Sequence, residues 1–179
     1  MKLILSDGGP SVISITSYRY AATGIWGYAF YRGMKQVGSV TSNAMPSSVV
    51  RMIGDAGEWY SGFSIDTPMV PGVSRKVKDN RTGEELYRIV FWKPDLYEFT
   101  AKAPDGTWSL VAEQKNGVCL FGGYGKPVIA VMERIVQAEE IPLLNGGLKA
   151  EPCFRTTFQE EPSEGMMMMI LSFPALKIT

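Results

Sequence analysis

The sequence predicts a mainly β domain that encloses its own C-terminus, and two observations carry that expectation. Apolar and polar residues alternate with period two through most of the chain, broken by turn signals about every 8–12 residues, the pattern of an all-β protein. The second observation is the unbroken apolar run Met166, Met167, Met168, Met169, Ile170 and Leu171. A helix made from that run has no polar face, so in water it is stable only where apolar groups surround it on every side.

Length and composition fit one domain over residues 1–179. With 179 residues, 45% of them apolar, the chain can bury about 70% of its unfolded surface. The 18 basic and 18 acidic side chains cancel, which argues against a generally nucleic-acid-binding surface. Met1 to Leu5 is a short apolar stretch broken by Ser6, Asp7, Gly8, Gly9 and Pro10, so no signal peptide is read there and a cytoplasmic protein is expected. The methionine run is too short for a bilayer, which needs about 20 apolar residues.

In chain order the alternation predicts strands at Val12 to Tyr20, Ile25 to Arg32, Val49 to Ile53, Glu58 to Ile65, Val73 to Lys78 and Glu85 to Trp92. It continues with Leu96 to Lys102, Thr107 to Gln114, Val118 to Phe121, Val128 to Val136 and Cys153 to Gln159. Tyr97, Phe99 and Ala101 share one face and Glu98, Thr100 and Lys102 the other, as in an antiparallel sheet wetted on one side. Leu86 to Trp92 and Val128 to Val136 are apolar on both faces, which predicts cover on each side. The turns are specific: Asp79 to Gly83, Pro104 to Gly106, and Asn116 with Gly117 each supply a glycine for the positive φ of a tight hairpin. Glu139 to Pro152, with two prolines and Asn145, Gly146 and Gly147, reads as a long connection.

For the final segment, Ser163 is a candidate N-cap, Glu164 suits the first turn, and methionine is a good helix former. Pro174 disfavours helix at Phe173, so the helix is expected over about 164–172. A buried central strand is the competing reading of so short an apolar run.

No catalytic constellation emerges. The chain has no histidine, which removes Ser-His-Asp and Cys-His arrangements and any imidazole ligand. Cys119 and Cys153 lie in separate strand-like segments and are expected as buried free thiols, with a disulfide left open for an exported protein. Neither a metal nor a cofactor is expected. The pairs Glu84 and Glu85, Glu139 and Glu140, and Glu160 and Glu161 read as solvated turns, because adjacent strand positions face opposite ways. Gly122, Gly123, Tyr124, Gly125 and Lys126 lack P-loop spacing and read as a hairpin loop. The basic residues Arg75, Lys76, Lys78, Arg81 and Arg88 are the best binding candidates: on paired strands they supply charge-assisted hydrogen bonds for a phosphate or inositol phosphate headgroup. Against this, Arg75 lies opposite Lys76 and Lys78, and Asp79, Glu84 and Glu85 interrupt the cluster. Tyr18, Arg19, Tyr20, Trp26, Tyr28, Tyr31 and Arg32 mix aromatics with arginines, as base-stacking grooves and membrane-interface surfaces do, although sheet packing explains them equally well.

Antiparallel hairpins followed by an all-apolar helix that finishes in Ser172 and Phe173 resemble the tubby C-terminal-like superfamily, which includes tubby-like proteins, phospholipid scramblases and plant LURP-one-related proteins. Met168 to Lys177 is similar to the closing stretch of tubby proteins, and Val73 through Asp79, Thr82, Gly83 and Glu84 to Ile89 resembles a hairpin of many members. The resemblance is strongest from about Val73 onward. Pro174 stands where tubby proteins carry an acidic residue, and their phosphoinositide-binding lysine and arginine pair has no evident counterpart. The resemblance implies a closed antiparallel barrel of about twelve strands around a central hydrophobic C-terminal helix. Together these readings lead to an expected non-enzymatic domain that binds an anionic lipid headgroup, a membrane surface or a protein partner. The alternatives are an interaction module without a small ligand and a single-stranded nucleic-acid binder.

Overall fold

The computed structural model describes residues 12–20, 26–42, 50–55, 57–61, 74–101, 108–123, 127–134, 141–144 and 148–176. Alternation becomes strands: β1 Val12–Tyr20, β2 Trp26–Arg32, β3 Lys35–Ser42, β4 Val50–Gly54, β5 Gly57–Ser61, β6 Ser74–Asp79 and β7 Glu85–Lys93. They continue as β8 Leu96–Ala101, β9 Ser109–Lys115, β10 Val118–Gly122, β11 Val128–Arg134, β12 Ile141–Leu144 and β13 Leu148–Phe158. Two helical segments follow, α1 Glu164–Leu171 and α2 Phe173–Leu176.

Each strand from β1 to β10 pairs antiparallel with the next, β11 pairs with β13, and β13 returns to β1, so twelve of the 13 described strands form one ring. Strand β12 lies outside that ring. It pairs with the start of β13 (Ile141↔Ala150, Leu144↔Leu148), on the edge where β11 takes the end (Ala130↔Phe158 to Arg134↔Phe154). The narrowest join is β5–β6, where the described register is Trp59↔Asp79 and Tyr60↔Lys78.

Alternation decides what fills the ring. Tyr87, Ile89 and Phe91 on β7, Tyr97 and Phe99 on β8, and Leu110 and Ala112 on β9 are all buried, with Glu98 and Thr100 on the wetter face. The centre is the apolar run itself. Met168, Met169, Ile170 and Leu171 are each 0% exposed, in a cluster that draws on nearly every strand of the ring. The enclosed helix starts as expected, with the Ser163 side chain accepting the Met166 N–H at 3.3 Å.

It also ends as expected, at Leu171 with Ser172 as its C-cap. The expectation that Pro174 keeps Phe173 out of helix is overturned, because a second turn follows in which the Ser172 carbonyl accepts the N–H groups of Ala175 and Leu176, each at 3.0 Å. Pro174 falls in the first turn of this short α2, where a missing N–H breaks no helical bond. Phe173 is thereby anchored edge-on to Tyr97, Phe121 and Phe99, at centroid distances of 5.2, 5.5 and 6.0 Å.

Other expectations are corrected. Strand β3 was not anticipated, and the expected connection from Glu139 to Pro152 contains β12 and the start of β13. Pro142 is accommodated on a strand of one described partner, and Pro152 at the bulge between Ile15 and Thr16 of β1, the positions where a sheet tolerates proline. Full cover on both faces holds for neither β7 nor β11, since Trp92 is 41% and Val128 37% exposed. No helix among the described residues is long and apolar enough to cross a membrane.

Candidate functional site

Register, rather than sequence proximity, assembles the outer face of β4 to β7. Arg51 lies opposite Tyr60 and Tyr60 opposite Lys78, while Lys76 lies opposite Arg88. Arg51 and Lys76 are exposed, and Tyr60, Lys78 and Arg88 partly so. At about 4.8 Å between neighbouring strands, the Arg51 and Lys78 backbones stand about 10 Å apart with the Tyr60 ring between them. Four cations and one aromatic therefore share one face across four neighbouring strands.

An acid is built into this face. Arg88 donates from Nε to Glu85 Oε1 at 2.9 Å and its Nη2 lies 2.8 Å from the same oxygen, while Lys76 Nζ lies 4.0 Å from Glu85 Oε2. Lys78 and Arg51 form no ion pair among the described residues. Half of the cationic face is thus internally neutralised and half is open.

Arg81 lies at the tip of the β6–β7 hairpin, exposed beyond the sheet. The hairpin is fixed by Asp79, whose Oδ1 accepts the N–H of Arg81 at 2.8 Å and of Thr82 at 3.0 Å, with Gly83 at φ +73°. Those two backbone bonds, that to Thr82 first, hold the Asp79 carboxyl below its usual range. The turn carries one cation, Arg81, beside two acids, the committed Asp79 and the exposed Glu84.

Arg75 stands apart from the others. It shares the inward face of β6 with Val77 and is 6% exposed. Its Nε donates to Ser61 Oγ at 2.8 Å, Nη2 to the Ser61 carbonyl at 3.4 Å and Nη1 to the Leu176 carbonyl at 3.4 Å. Burial lowers its pKa to about 10. The guanidinium therefore ties the last turn of the chain to the β5–β6 join, a position that faces no external headgroup.

Of the five basic residues singled out from sequence, the structure brings Lys76, Lys78 and Arg88 together, sets Arg81 at the tip and turns Arg75 inward. Arg51 was missed. Its only link to the others is pairing through two intervening strand contacts, which no local motif encodes. Of the aromatic and arginine segment, Tyr28 packs edge-on against Phe154 at 6.2 Å, and Arg32 reaches Glu161 Oε1 and Met167 Sδ at 3.5 and 3.7 Å. The side chains of Tyr18, Arg19, Tyr20 and Trp26 lie outside the described set, as do Glu139, Glu140, Tyr124, Gly125, Lys126 and the Cys153 side chain. Cys119 is buried on β10, 5% exposed. Among the described residues no group of acids and cysteines is arranged to hold a metal ion.

No family model, curated protein or solved structure matches the chain.

Proposed function

We propose that the chain is a non-enzymatic binding module of the tubby C-terminal-like kind, whose outer face over β4 to β7 receives the phosphate headgroup of an anionic lipid at a cytoplasmic membrane surface. The observation that carries this reading is the convergence of Arg51, Lys76, Lys78 and Arg88, with Tyr60 among them, on one face. Lysine and arginine at such a surface each contribute about 1 kcal/mol of attraction to an anionic leaflet, and guanidinium groups bind phosphate through paired N–H donors. The enclosed helix supports the same assignment, because it is the arrangement that the resemblance implies.

The reading predicts that the protein co-sediments with phosphatidylcholine vesicles containing phosphatidylinositol bisphosphate and not with phosphatidylcholine alone. The double substitution Lys76→Glu and Lys78→Glu should weaken that partitioning by about 30-fold or more, since it removes two attractions of about 1 kcal/mol each and adds repulsion. Retention unchanged by the double substitution, or none in the native protein, would remove the proposal. A protein-interaction module without a small ligand is the second reading, favoured by Glu85, which already engages Arg88 and Lys76; it predicts no vesicle retention at all.

A further inference from the structure

The ring has a concavity at the mouth where α1 begins, between the first residues of β9 and β11 and the segment that leads from β13 into the helix. Its volume is about 780 Å³, that of a small-molecule site, and the mouth of a β-barrel is a usual place for one.

Strand alternation makes this mouth apolar. Leu110 and Ala112 on β9, and Ala130 and Met132 on β11, point into the ring and are buried. Trp108, just before β9, and Val128, at the start of β11, hold the next positions of the same parity, where the ring opens. Core packing covers them only in part. Trp108, Ile129 and Met166 rest on the core yet keep some exposed surface, and Val128 is 37% exposed. The Trp108 ring is braced from within by Tyr87, at a centroid distance of 5.8 Å.

The charge at the mouth has one sign. The Gln159 N–H donates to the Ile129 carbonyl at 2.7 Å and the Ser163 side chain caps α1, so both ends of the 159–163 segment are fixed. That segment brings the exposed Glu160 and Glu161 to the mouth. Arg32 lies 3.5 Å from Glu161, whereas Glu160 has no ion pair or hydrogen bond among the described residues. No lysine or arginine is among the described residues that line the mouth. The partial positive charge of the helix start is met by Glu164 in its own first turn.

We propose that this mouth binds a small amphipathic ammonium ion, its charged head beside Glu160 and the Trp108 ring and its apolar tail along Val128, Ile129 and Met166. An ammonium is attracted both by a carboxylate and by the negative face of an aromatic ring. Apolar groups that the core leaves part-exposed give the tail surface to bury. Glu160 and Glu161 repel an anion with the same tail. The site is separate from the cationic face over β4 to β7 and does not rest on it.

Decyltrimethylammonium, below its micellar concentration, is the probe, titrated calorimetrically into the intact chain beside decanoate and tetramethylammonium. The expected result is saturable one-to-one binding, with decanoate and tetramethylammonium each at least tenfold weaker. Glu160→Gln should keep the melting temperature and lose about three- to fivefold in affinity, the size of one exposed ion pair. Val128→Lys, which sets a cation in the mouth, should keep a cooperative melt and lose at least tenfold. Glu113→Gln, which removes an exposed acid towards the other end of β9, should bind as the native protein does. Absence of saturable binding, equal affinity for decanoate, an equal loss in Glu113→Gln, or native affinity in either mouth variant would overturn the proposal.

Discussion

Gly38 and Gly54 face each other across β3 and β4, and the Met168 thioether occupies the space their side chains would fill. A Cβ on Gly38 would come within 2.8 Å of the Ile53 carbonyl oxygen and 3.0 Å of Met168 Sδ, whereas one on Gly54 would meet Met168 Sδ at 3.1 Å. A carbonyl oxygen held in the sheet cannot move aside, but a thioether chain can. Gly38→Ala should therefore destabilise the fold by about 1–3 kcal/mol in urea unfolding, and Gly54→Ala by less. Equal, negligible effects would show that the Ile53 carbonyl does not bar a methyl group at position 38. The role of Gly38 was not legible in the sequence, because the close approach is to a methionine 130 residues away. Arg75 was partly legible: its parity with the apolar positions of β6 set it opposite Lys76 and Lys78. The carbonyls it would find inside had no local signal.

Among the elements, α1 was the easiest to anticipate, since Ser163 caps it, Glu164 opens it and every residue from Met166 to Leu171 is apolar. Met168→Asp places a carboxylate at a position 0% exposed in the apolar core and should abolish soluble folded protein, whereas Met166→Asp, half-buried at the helix start, should leave a cooperative far-ultraviolet melt. Loss of folding in both, or in neither, would mean that the two methionines do not differ in environment. Elements with weaker patterns were hidden. Lys35, Gln36, Gly38, Ser39, Thr41 and Ser42 make β3 polar or featureless, and the bulge between Phe30 and Tyr31 of β2 leaves Val37 and Val40 out of simple alternation. Pro142 and Pro152 masked β12 and the start of β13, because proline in a strand is tolerated only by virtue of pairing that the sequence does not display. The second turn at α2 was masked in the same way: Pro174 reads as a stop, yet it serves as the start of a new turn.

At the level of the whole molecule, two features depend on each other. A sheet closed through β13 and β1 has an interior that must be filled, and an all-apolar helix has no polar face to give to water. The mainly β class and the buried methionine helix were readable because both follow from patterns of neighbouring residues. Register was not, and with it went the surface formed by Arg51, Lys76, Lys78 and Arg88, a product of strand pairing. Enclosure of the methionine run can be read directly, because the chain carries its own control: Met34 is 83% exposed on the β2–β3 turn, whereas Met168 and Met169 are 0% exposed. Brief treatment of the native protein with hydrogen peroxide, followed by fragmentation mass spectrometry, should find sulfoxide at Met34 well before either buried methionine, with the difference abolished in denaturant. Oxidation of Met168 and Met169 at the rate of Met34 in the native protein would place the run in solvent and contradict a barrel built around its own terminus.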